Sequence, residues 1–243
     1  MNRFALSEDP LLNHRESAHL DLAPERLPDR PAMVRRYVAS DRAAVRALCC
    51  DTGFLGKPIE PLFRDRELFA DLFTRPYLEY EPEWAWIAEA NGRVAGYLLG
   101  SVRADADRLL MRCGFQTAFR MVWRLFTGRY ARHPPSRRFI RWLMTAAIFE
   151  QPKHPPDAAH LHLNLARHQR GRGIGRHLWE AFEERLLEVG AKRCYGTFFS
   201  RASRQPELAY VRYGFRDFAR CRTTLFRREI AEPVEVVCVC KQL

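Results

Sequence analysis

The spacing of apolar residues along the chain predicts an alternation of strands and helices. Alternating or continuous apolar runs predict strands over 33–39, 84–90, 93–102, 159–165, 192–199, 216–227 and 234–242. Apolar residues at helical spacing predict helices over 42–50, 62–73, 173–189 and 206–213. Strands with interleaved helices indicate an α/β fold.

Local signals define some of the element ends. Asn91–Gly92 joins two predicted strands as a two-residue hairpin turn, because both residues tolerate positive φ. Ser40 or Asp41 is placed to cap the first helix. Gly190 is placed to end the long helix predicted over 173–189. Residues 1–30 lack a periodic pattern and are interpreted as an N-terminal arm, which leaves 31–243 as one domain.

The segment 104–156 has a different pattern from the rest of the chain. It predicts two helical stretches, around 115–130 and 138–149, separated by His133–Pro134–Pro135. Aromatic and apolar residues recur in the first stretch at helical spacing: Phe115, Phe119, Val122, Trp123, Phe126 and Tyr130. Three interpretations stay open for this segment, namely a helical pair packed over the domain, a lid over the substrate, and a helix that lies in a membrane interface.

Charge is concentrated in the same segment. The chain of 243 residues has a formal net charge of +11, and 36 of its 40 basic residues are arginine. Ten arginines and one lysine against three acids make residues 101–155 contribute +8. A basic surface favours a phosphorylated ligand, an anionic membrane or a nucleic acid, and the absence of a known nucleic-acid-binding module argues against the last.

Composition excludes several classes of protein. A hydrophobic content of 47% is enough for a buried core, and no apolar run is long enough to cross a membrane. The first residues lack the apolar core of a signal peptide, which predicts a cytoplasmic protein. Seven cysteines, an odd number without a CxxC pair, argue against a disulfide framework, and no metal site is predicted.

The turn before the long predicted helix carries the strongest chemical signal. Arg170–Gly171–Arg172–Gly173–Ile174–Gly175 joins a strand to that helix. The first helical N–H groups lack partners and the helix dipole makes that end positive, so the turn suits a pyrophosphate. The Walker lysine is missing, and the glycine spacing and late position weaken a dinucleotide fold.

These residues resemble motif A of the GCN5-related N-acetyltransferases (GNAT), Arg/Gln-x-x-Gly-x-Gly/Ala, with Arg170, Gly173 and Gly175 at the motif positions. The runs VAGYLLGSV and AYVRYGF resemble the third strand and the late FYxxxGF motif of the same family. The amino-acid sequence around the turn is similar to that of bacterial relatives of the acetyltransferase-like domain of O-GlcNAcase. The resemblance implies a mixed, mostly antiparallel sheet of about seven strands, splayed between strands 4 and 5. Helices cover both faces, and 104–156 is an insertion between strands 3 and 4.

The resemblance also implies acetyl-CoA as the cofactor. Its pantetheine arm would enter the splay and meet the backbone of Leu165 and Ala166. The pyrophosphate would be held by residues of the turn, which are Arg170, Gly171, Arg172, Gly173, Ile174, Gly175 and Arg176. Arg167 and Gln169 depart from the usual proline and aromatic residue. Ser203 takes a position that is often Asn and would contact the cofactor.

Two further roles concern proton transfer, a general acid and a general base. The resemblance implies Tyr210 as the general acid that protonates the leaving thiolate, with Tyr213 as the competing tyrosine. His162 is a candidate base, because His160, His162 and Asn164 form a polar face on a strand that is otherwise apolar. A structural histidine is an equal alternative, and Glu79, Glu81 and Glu83 are further candidate bases.

The expected function is therefore direct transfer of an acetyl group from acetyl-CoA to a primary amine of a small molecule or protein. The alternative is a catalytically silent acyl-CoA-binding domain whose basic insertion docks on a membrane or a protein partner. No nucleic-acid partner is expected. Contact with an anionic membrane through 104–156 and a homodimer both remain open.

Overall fold

The computed structural model describes residues 32–103 and 105–243, so the predicted N-terminal arm lies outside the described residues. Within the described part, seven strands form one sheet: β1 (Met33–Arg36), β2 (Ala85–Ala90), β3 (Arg93–Ser101), β4 (Ala159–Leu165), β5 (Arg193–Ser200), β6 (Arg216–Thr223) and β7 (Val234–Gln242). Six α-helices accompany them: α1 (Arg42–Thr52), α2 (Arg66–Tyr80), α3 (Ala106–Phe126), α4 (Pro134–Thr145), α5 (Ile174–Glu188) and α6 (Glu207–Val211).

The sheet is mixed, with the order β1-β2-β3-β4-β5-β7-β6. Five of its six neighbouring pairs are antiparallel, and β4 with β5 is the parallel pair. The predicted α/β fold with a mostly antiparallel sheet of seven strands is confirmed. Strands β1 to β4 form one half and β5 to β7 the other, so the parallel pair is the junction between the two halves.

The two turn signals act locally as expected, whereas the side-chain cap predicted for the first helix does not form. Asn91 and Gly92 have φ of 52° and 71° and connect β2 to β3. Gly190 has φ of 71° after α5, where its N–H donates to Leu187 O at 3.0 Å. Asp41 is the N-cap residue of α1, but its carboxylate accepts from Arg35 instead of capping the helix.

Several predicted elements have different bounds. The strand expected over 33–39 ends at Arg36, shortly before a 3-10 turn at Ala39–Asp41. The helix expected over 62–73 begins only at Arg66, because Asp65 accepts a hydrogen bond from Leu68 N at 3.3 Å and so caps α2. The last part of the strand expected over 216–227 is a turn. There Phe226 leaves the edge of the sheet and packs in the core against Phe54, with ring centroids 5.7 Å apart.

The sheet separates two apolar cores. One core lies between the sheet and α5, where Trp179 and Phe182 are buried. The other lies on the opposite face, between the sheet and α1, α2 and the segment that contains α3 and α4. The Phe139 and Tyr130 rings of that segment both pack on Phe63 in this second core.

The basic segment is inserted between β3 and β4, as the resemblance implied, and it forms the helices α3 and α4. Pro134 is the first residue of α4, with His133 as its N-cap. Helix α3 packs along α2. None of the helices in the described ranges has the length and apolarity needed to cross a membrane.

Candidate active site

A gap opens between β4 and β5 at the centre of the sheet. The two strands pair only from Ala159 to Leu161, against Cys194 to Gly196. Beyond this point β4 continues to pair with β3 up to Leu165, whereas β5 continues to pair with β7 up to Ser200. The central sheet is therefore splayed where an extended ligand could add to the exposed strand edges.

The register of β4 decides which backbone groups face the gap. Ala166 N donates to Ala95 O at 2.8 Å, so that amide is directed at β3. Because backbone groups alternate between the two sides of a strand, the polar groups of Leu163 and Leu165 are directed at β5 and hence into the gap. Leu165 thus directs its backbone groups into the gap, while the N–H of Ala166 already has a partner on β3.

The glycine turn lies at the end of β4, where the gap opens. Gly171 and Gly173 both have φ of 80°, which strongly favours glycine. A Cβ at either position would meet no atom within 4 Å, so the space in front of the turn is open. Gly173 is the N-cap residue of α5 and no side chain caps that helix. The turn presents the positive end of a helix to open space.

The neighbouring residues position this turn. The Ile174 side chain is buried under α5 and fixes the start of the helix. A Cβ on Gly175 would lie 2.9 Å from Tyr213 Oη and 3.4 Å from a methyl of Leu165, so glycine here allows α5 to approach β4. Arg176 pairs instead with Glu180, one turn further along α5, at 2.7 Å.

Two arginines meet at the mouth of the gap. Arg170 Nε donates to Leu165 O at 3.2 Å, and Arg204 Nη1 donates to Phe199 O at 3.1 Å. Both guanidinium groups reach Gly56, where a Cβ would lie 2.8 Å from Arg170 Nη1 and 3.2 Å from Arg204 Nη2. Within the described chain neither pairs with a carboxylate, and partial burial lowers the pKa of both. Together they form a local concentration of positive charge next to the gap.

Sequence reasoning expected Arg170, Arg172 and Arg176 to act together around a pyrophosphate. In the structure Arg170 turns to the gap, Arg176 binds Glu180, and Arg172 is exposed on the turn. Arg204 was missed. No sequence motif includes Arg204, because its approach to Arg170 depends on where β5 ends relative to β4.

Tyr210 borders the gap on the β5 side. Its ring stacks on Phe198, with centroids 4.9 Å apart, and packs edge-on against Phe215 at 5.5 Å. Phe198 lies on the part of β5 that has separated from β4. The Tyr210 hydroxyl makes no hydrogen bond to any residue that the structure describes, and burial, with Tyr213 and Cys194 adding to it, raises its pKa. The phenol therefore stays protonated and is able to donate.

The polar face of β4 forms a half-buried network on the side of α1 and α2. Asn164 Nδ2 donates to Tyr97 Oη at 2.7 Å, and His162 Nε2 lies 3.2 Å from that hydroxyl. His160 Nδ1 lies 2.7 Å from Tyr77 Oη. Burial lowers the pKa of His162 to about 4 and that of His160 to about 3. Both rings are neutral at pH 7. Asn164 Nδ2, a donor, also lies 3.1 Å from His162 Nε2, which makes Nε2 the acceptor nitrogen of the neutral ring.

A model of the acetyltransferase (GNAT) family matches residues 57–215. The chain belongs to that family. SsHAT, of known crystal structure, is 27% identical, with a TM-score of 0.55 over 87% of this chain and 98% of that one. The polyamine N-acetyltransferase of Drosophila melanogaster is 15% identical, with a TM-score of 0.56 over 87% of this chain and all of that one. The phosphinothricin acetyltransferase of Sinorhizobium meliloti, solved with acetyl-CoA, is 14% identical, with a TM-score of 0.53 over 87% and 88%.

Members of the GNAT family are acyltransferases that use acetyl-CoA, and acetyl-CoA is the cofactor of this chain. The residues fit this molecule. The splay offers the strand-edge groups of Leu163 and the N–H of Leu165 to an amide-containing arm, while Arg170 occupies Leu165 O. The open cradle at Gly171 and Gly173 leaves room for phosphate oxygens at a helix N-terminus.

The remaining predicted residues have other partners in this GNAT domain. Ser203 is exposed, its hydroxyl donates to Glu232, and its N–H donates to the same carboxylate at 3.1 Å. Glu79 is bound by Arg42 and Arg75 at the end of α2. Glu81 is buried and accepts from Ser101 and from Val102 N, beside the first residues of β4 and away from the splayed end.

Proposed function

We propose that this GNAT-family protein transfers the acetyl group of acetyl-CoA to a primary amine of a small molecule or protein, directly and within one ternary complex. The observation that carries the proposal is the β4–β5 gap, which runs from a protonated, unengaged tyrosine to an open glycine cradle. When bound, acetyl-CoA supplies the thioester whose acetyl carbon the amine attacks. The other steps depend on the chain's own residues.

Binding depends mainly on the backbone. The gap-facing groups of Leu163 and Leu165 would align the pantetheine arm along β4. The first amides of α5, at Gly173 and after it, would hold the phosphates, with Arg172 exposed beside them. The Arg170 and Arg204 guanidinium groups would add positive charge at the mouth of the gap, where no carboxylate of the described chain neutralises them.

Tyr210 is proposed as the general acid. Its phenol lies beside the β5 edge of the gap and keeps its proton, because burial raises its pKa. It would give this proton to the departing thiolate sulfur as the carbon–sulfur bond breaks, and it would regain a proton from water after release. Stacking on Phe198 holds the ring in place without using the hydroxyl.

Direct transfer is favoured over an acetylated enzyme, because Cys194, the cysteine that acts on the pKa of Tyr210, is a poor nucleophile. Cys194 is completely buried at the start of β5, and burial raises the pKa of its thiol well above the ordinary value. A thiol that stays protonated in the core does not attack a thioester.

His162 remains a candidate base, with geometry that restricts this role. Its Nε2 already faces the Asn164 amide at 3.1 Å and the Tyr97 hydroxyl at 3.2 Å, and its pKa is about 4. Such a group is neutral but weakly basic at pH 7. We therefore propose that the acceptor amine loses its proton mainly to solvent, and that the rate follows the amine's own pKa.

The test measures free thiol released from acetyl-CoA over a panel of primary amines. We expect Tyr210→Phe to lower kcat about a hundredfold with little change in KM for acetyl-CoA, since the ring keeps its stacking and loses only the proton. Tyr213→Phe is the matched control and should keep its activity, although its hydroxyl lies close to Gly175. Tight acetyl-CoA binding without turnover on any amine would support the silent binding domain instead.

The pH profile adds a second readout. Because Tyr210 has a raised pKa and His162 a lowered one, the enzyme's own groups should add no inflection between about pH 6 and 9. The rising limb should move with the pKa of the amine chosen. An inflection that stays near pH 6.5 for every amine, and disappears in His162→Gln, would show that His162 is the base and contradict transfer to solvent.

A further inference from the structure

The solvent-facing side of α3 carries a row of exposed aromatic side chains. Phe115, Phe119, Trp123 and Phe126 are 66%, 71%, 64% and 82% exposed. Their spacing of three or four residues places them on one face over the last three turns of the helix, a length of about 16 Å. We call these four residues the aromatic ridge. Soluble surfaces rarely expose large aromatic residues so close together, so the ridge needs a partner.

The helix is held so that the ridge cannot turn inwards. On the opposite face Met121 is fully buried, and Arg120 and Arg124 pair with acids of α2. Arg124 Nη1 lies 2.7 Å from the buried carboxylate of Asp65, and Arg120 Nη1 lies 2.6 Å from that of Asp71. Rotation of α3 about its axis would break these pairs and expose Met121. The outward position of the aromatic ridge is therefore a property of the folded domain.

Positive charge surrounds the ridge. Arg108 and Arg112 lie on the outward side of the first turns of α3, and Arg129 and Arg132 follow its end. Of these four exposed arginines only Arg129 lies within ion-pair distance of a carboxylate of the described chain, at 3.5 Å from Asp65. Arg120, Arg124 and Arg138 of the same segment pair with acids elsewhere in the domain, so the exposed arginines beside the ridge give this face its positive charge. A second copy of the chain would bring an equal positive charge against this face, whereas an anionic surface would neutralise it.

We propose that the aromatic ridge and its flanking arginines form a docking surface for anionic lipid, with α3 lying parallel to the bilayer plane. Phenylalanine and tryptophan rings enter the boundary between headgroups and acyl chains, and arginines meet lipid phosphates around them. The helix would lie in the interface and not span the bilayer, in keeping with its charged inner face. This inference does not rest on the proposed acetyl transfer.

The test uses the full chain, so that residues 1–31 are present and compete for the ridge if they bind it. Trp123 serves as the probe in a Trp142→Phe background, because Trp142 is half-buried on α4, whereas Trp84, Trp86 and Trp179 are at most 6% exposed. We expect its fluorescence emission to shift to shorter wavelength with vesicles that contain phosphatidylglycerol. The shift should be much smaller with pure phosphatidylcholine, and high salt should weaken the binding.

Two variants separate the ridge from apolar surface in general. Phe119→Ser should weaken vesicle binding at least roughly tenfold, since one exposed ring no longer enters the interface. Phe218→Ser, at a 47% exposed phenylalanine on β6, should leave binding unchanged. Neither change touches the glycine turn or Tyr210, so both variants should keep the basal turnover of acetyl-CoA without vesicles.

Three results would overturn the proposal. One is the absence of an emission shift with anionic vesicles at low salt. Another is equal loss of binding in Phe119→Ser and Phe218→Ser. The third is a concentration-dependent dimer, seen by analytical ultracentrifugation and abolished by Phe119→Ser, which would assign the ridge to a second copy of the chain.

Discussion

At two positions of the cofactor cradle, glycine is required by the backbone angle and not by lack of space for a side chain. Gly171 and Gly173 have φ of 80°, yet no atom lies within 4 Å of the Cβ that each lacks. Gly175 is the opposite case, because a Cβ there would collide with Tyr213 Oη. The open space at the first two glycines is where phosphate oxygens would approach the amides of α5.

Gly173→Ala tests this distinction. The added methyl group strains the left-handed backbone by about 1–2 kcal/mol and projects into the space for phosphate, so KM for acetyl-CoA should rise about tenfold or more. Gly128→Ala is the matched control, because Gly128 has φ of 78° and equally open surroundings between α3 and α4. Both variants should lose similar stability in urea. A similar rise in KM in both would refute the cradle.

At the scale of one element, β4 combines two roles. Its leucines pack against α5 or lie along the edge of the gap. Its polar residues form the hydrogen-bond network with Tyr97 and Tyr77. The strand keeps two imidazoles neutral inside the protein, with pKa values lowered to about 4 at His162 and about 3 at His160, chiefly by burial. In an unfolded chain both would titrate near pH 6.5.

The domain should therefore lose stability as pH falls from about 6.5 to 4. Over that range the unfolded chain gains a proton at each histidine that the folded chain does not accept, so protonation favours unfolding. At about 1.4 kcal/mol per unit of pKa difference, the two histidines together would cost several kcal/mol. Urea unfolding midpoints measured across this range give the slope. His162→Gln should reduce it, and an unchanged slope would contradict neutral burial of His162.

At the scale of the whole molecule, Asp65 joins the insertion to the rest of the domain. Its buried carboxylate caps α2 at Leu68 N and accepts from Tyr130 Oη at 2.6 Å and from Arg124 at 2.7 Å. Burial opposes ionisation, but the hydrogen bonds from Tyr130 and Arg124 prevail and lower the pKa of Asp65. One side chain thus links the start of α2, the end of α3 and the turn after it.

Asp65→Ala should destabilise the domain by about 4 kcal/mol, because it removes a helix cap and leaves Arg124 without its buried partner. Asp51→Ala is the matched control. Asp51 also pairs with an arginine, Arg66, but both side chains are well exposed, so the loss should stay below about 1 kcal/mol. Urea denaturation measures both. Equal, small losses would mean that the insertion does not depend on Asp65 for its position.

Much of the fold follows from local patterns. The Asn91–Gly92 turn, the end of α5 at Gly190 and the glycine turn itself depend on the conformational preferences of a few neighbouring residues. The start of α2 was predicted too early, because Leu62 and Phe63 are as apolar as a helix face but are buried in the turn before Asp65. Apolar spacing identifies burial better than it identifies where a helix begins.

The sequence by itself determined the order of the elements, the GNAT resemblance, the cradle glycines and the position of the excess charge, since each depends on residues close together in the chain. The resemblance already implied the splay between strands 4 and 5. Only the tertiary structure decided that it begins after Leu161, that Arg204 meets Arg170, and that His162 Nε2 is engaged. It also decided that Tyr130 is buried while the aromatic ridge on α3 faces solvent. Helical spacing gives the relative directions of side chains, but the rotation of a helix is set by its distant partners, here the acids of α2.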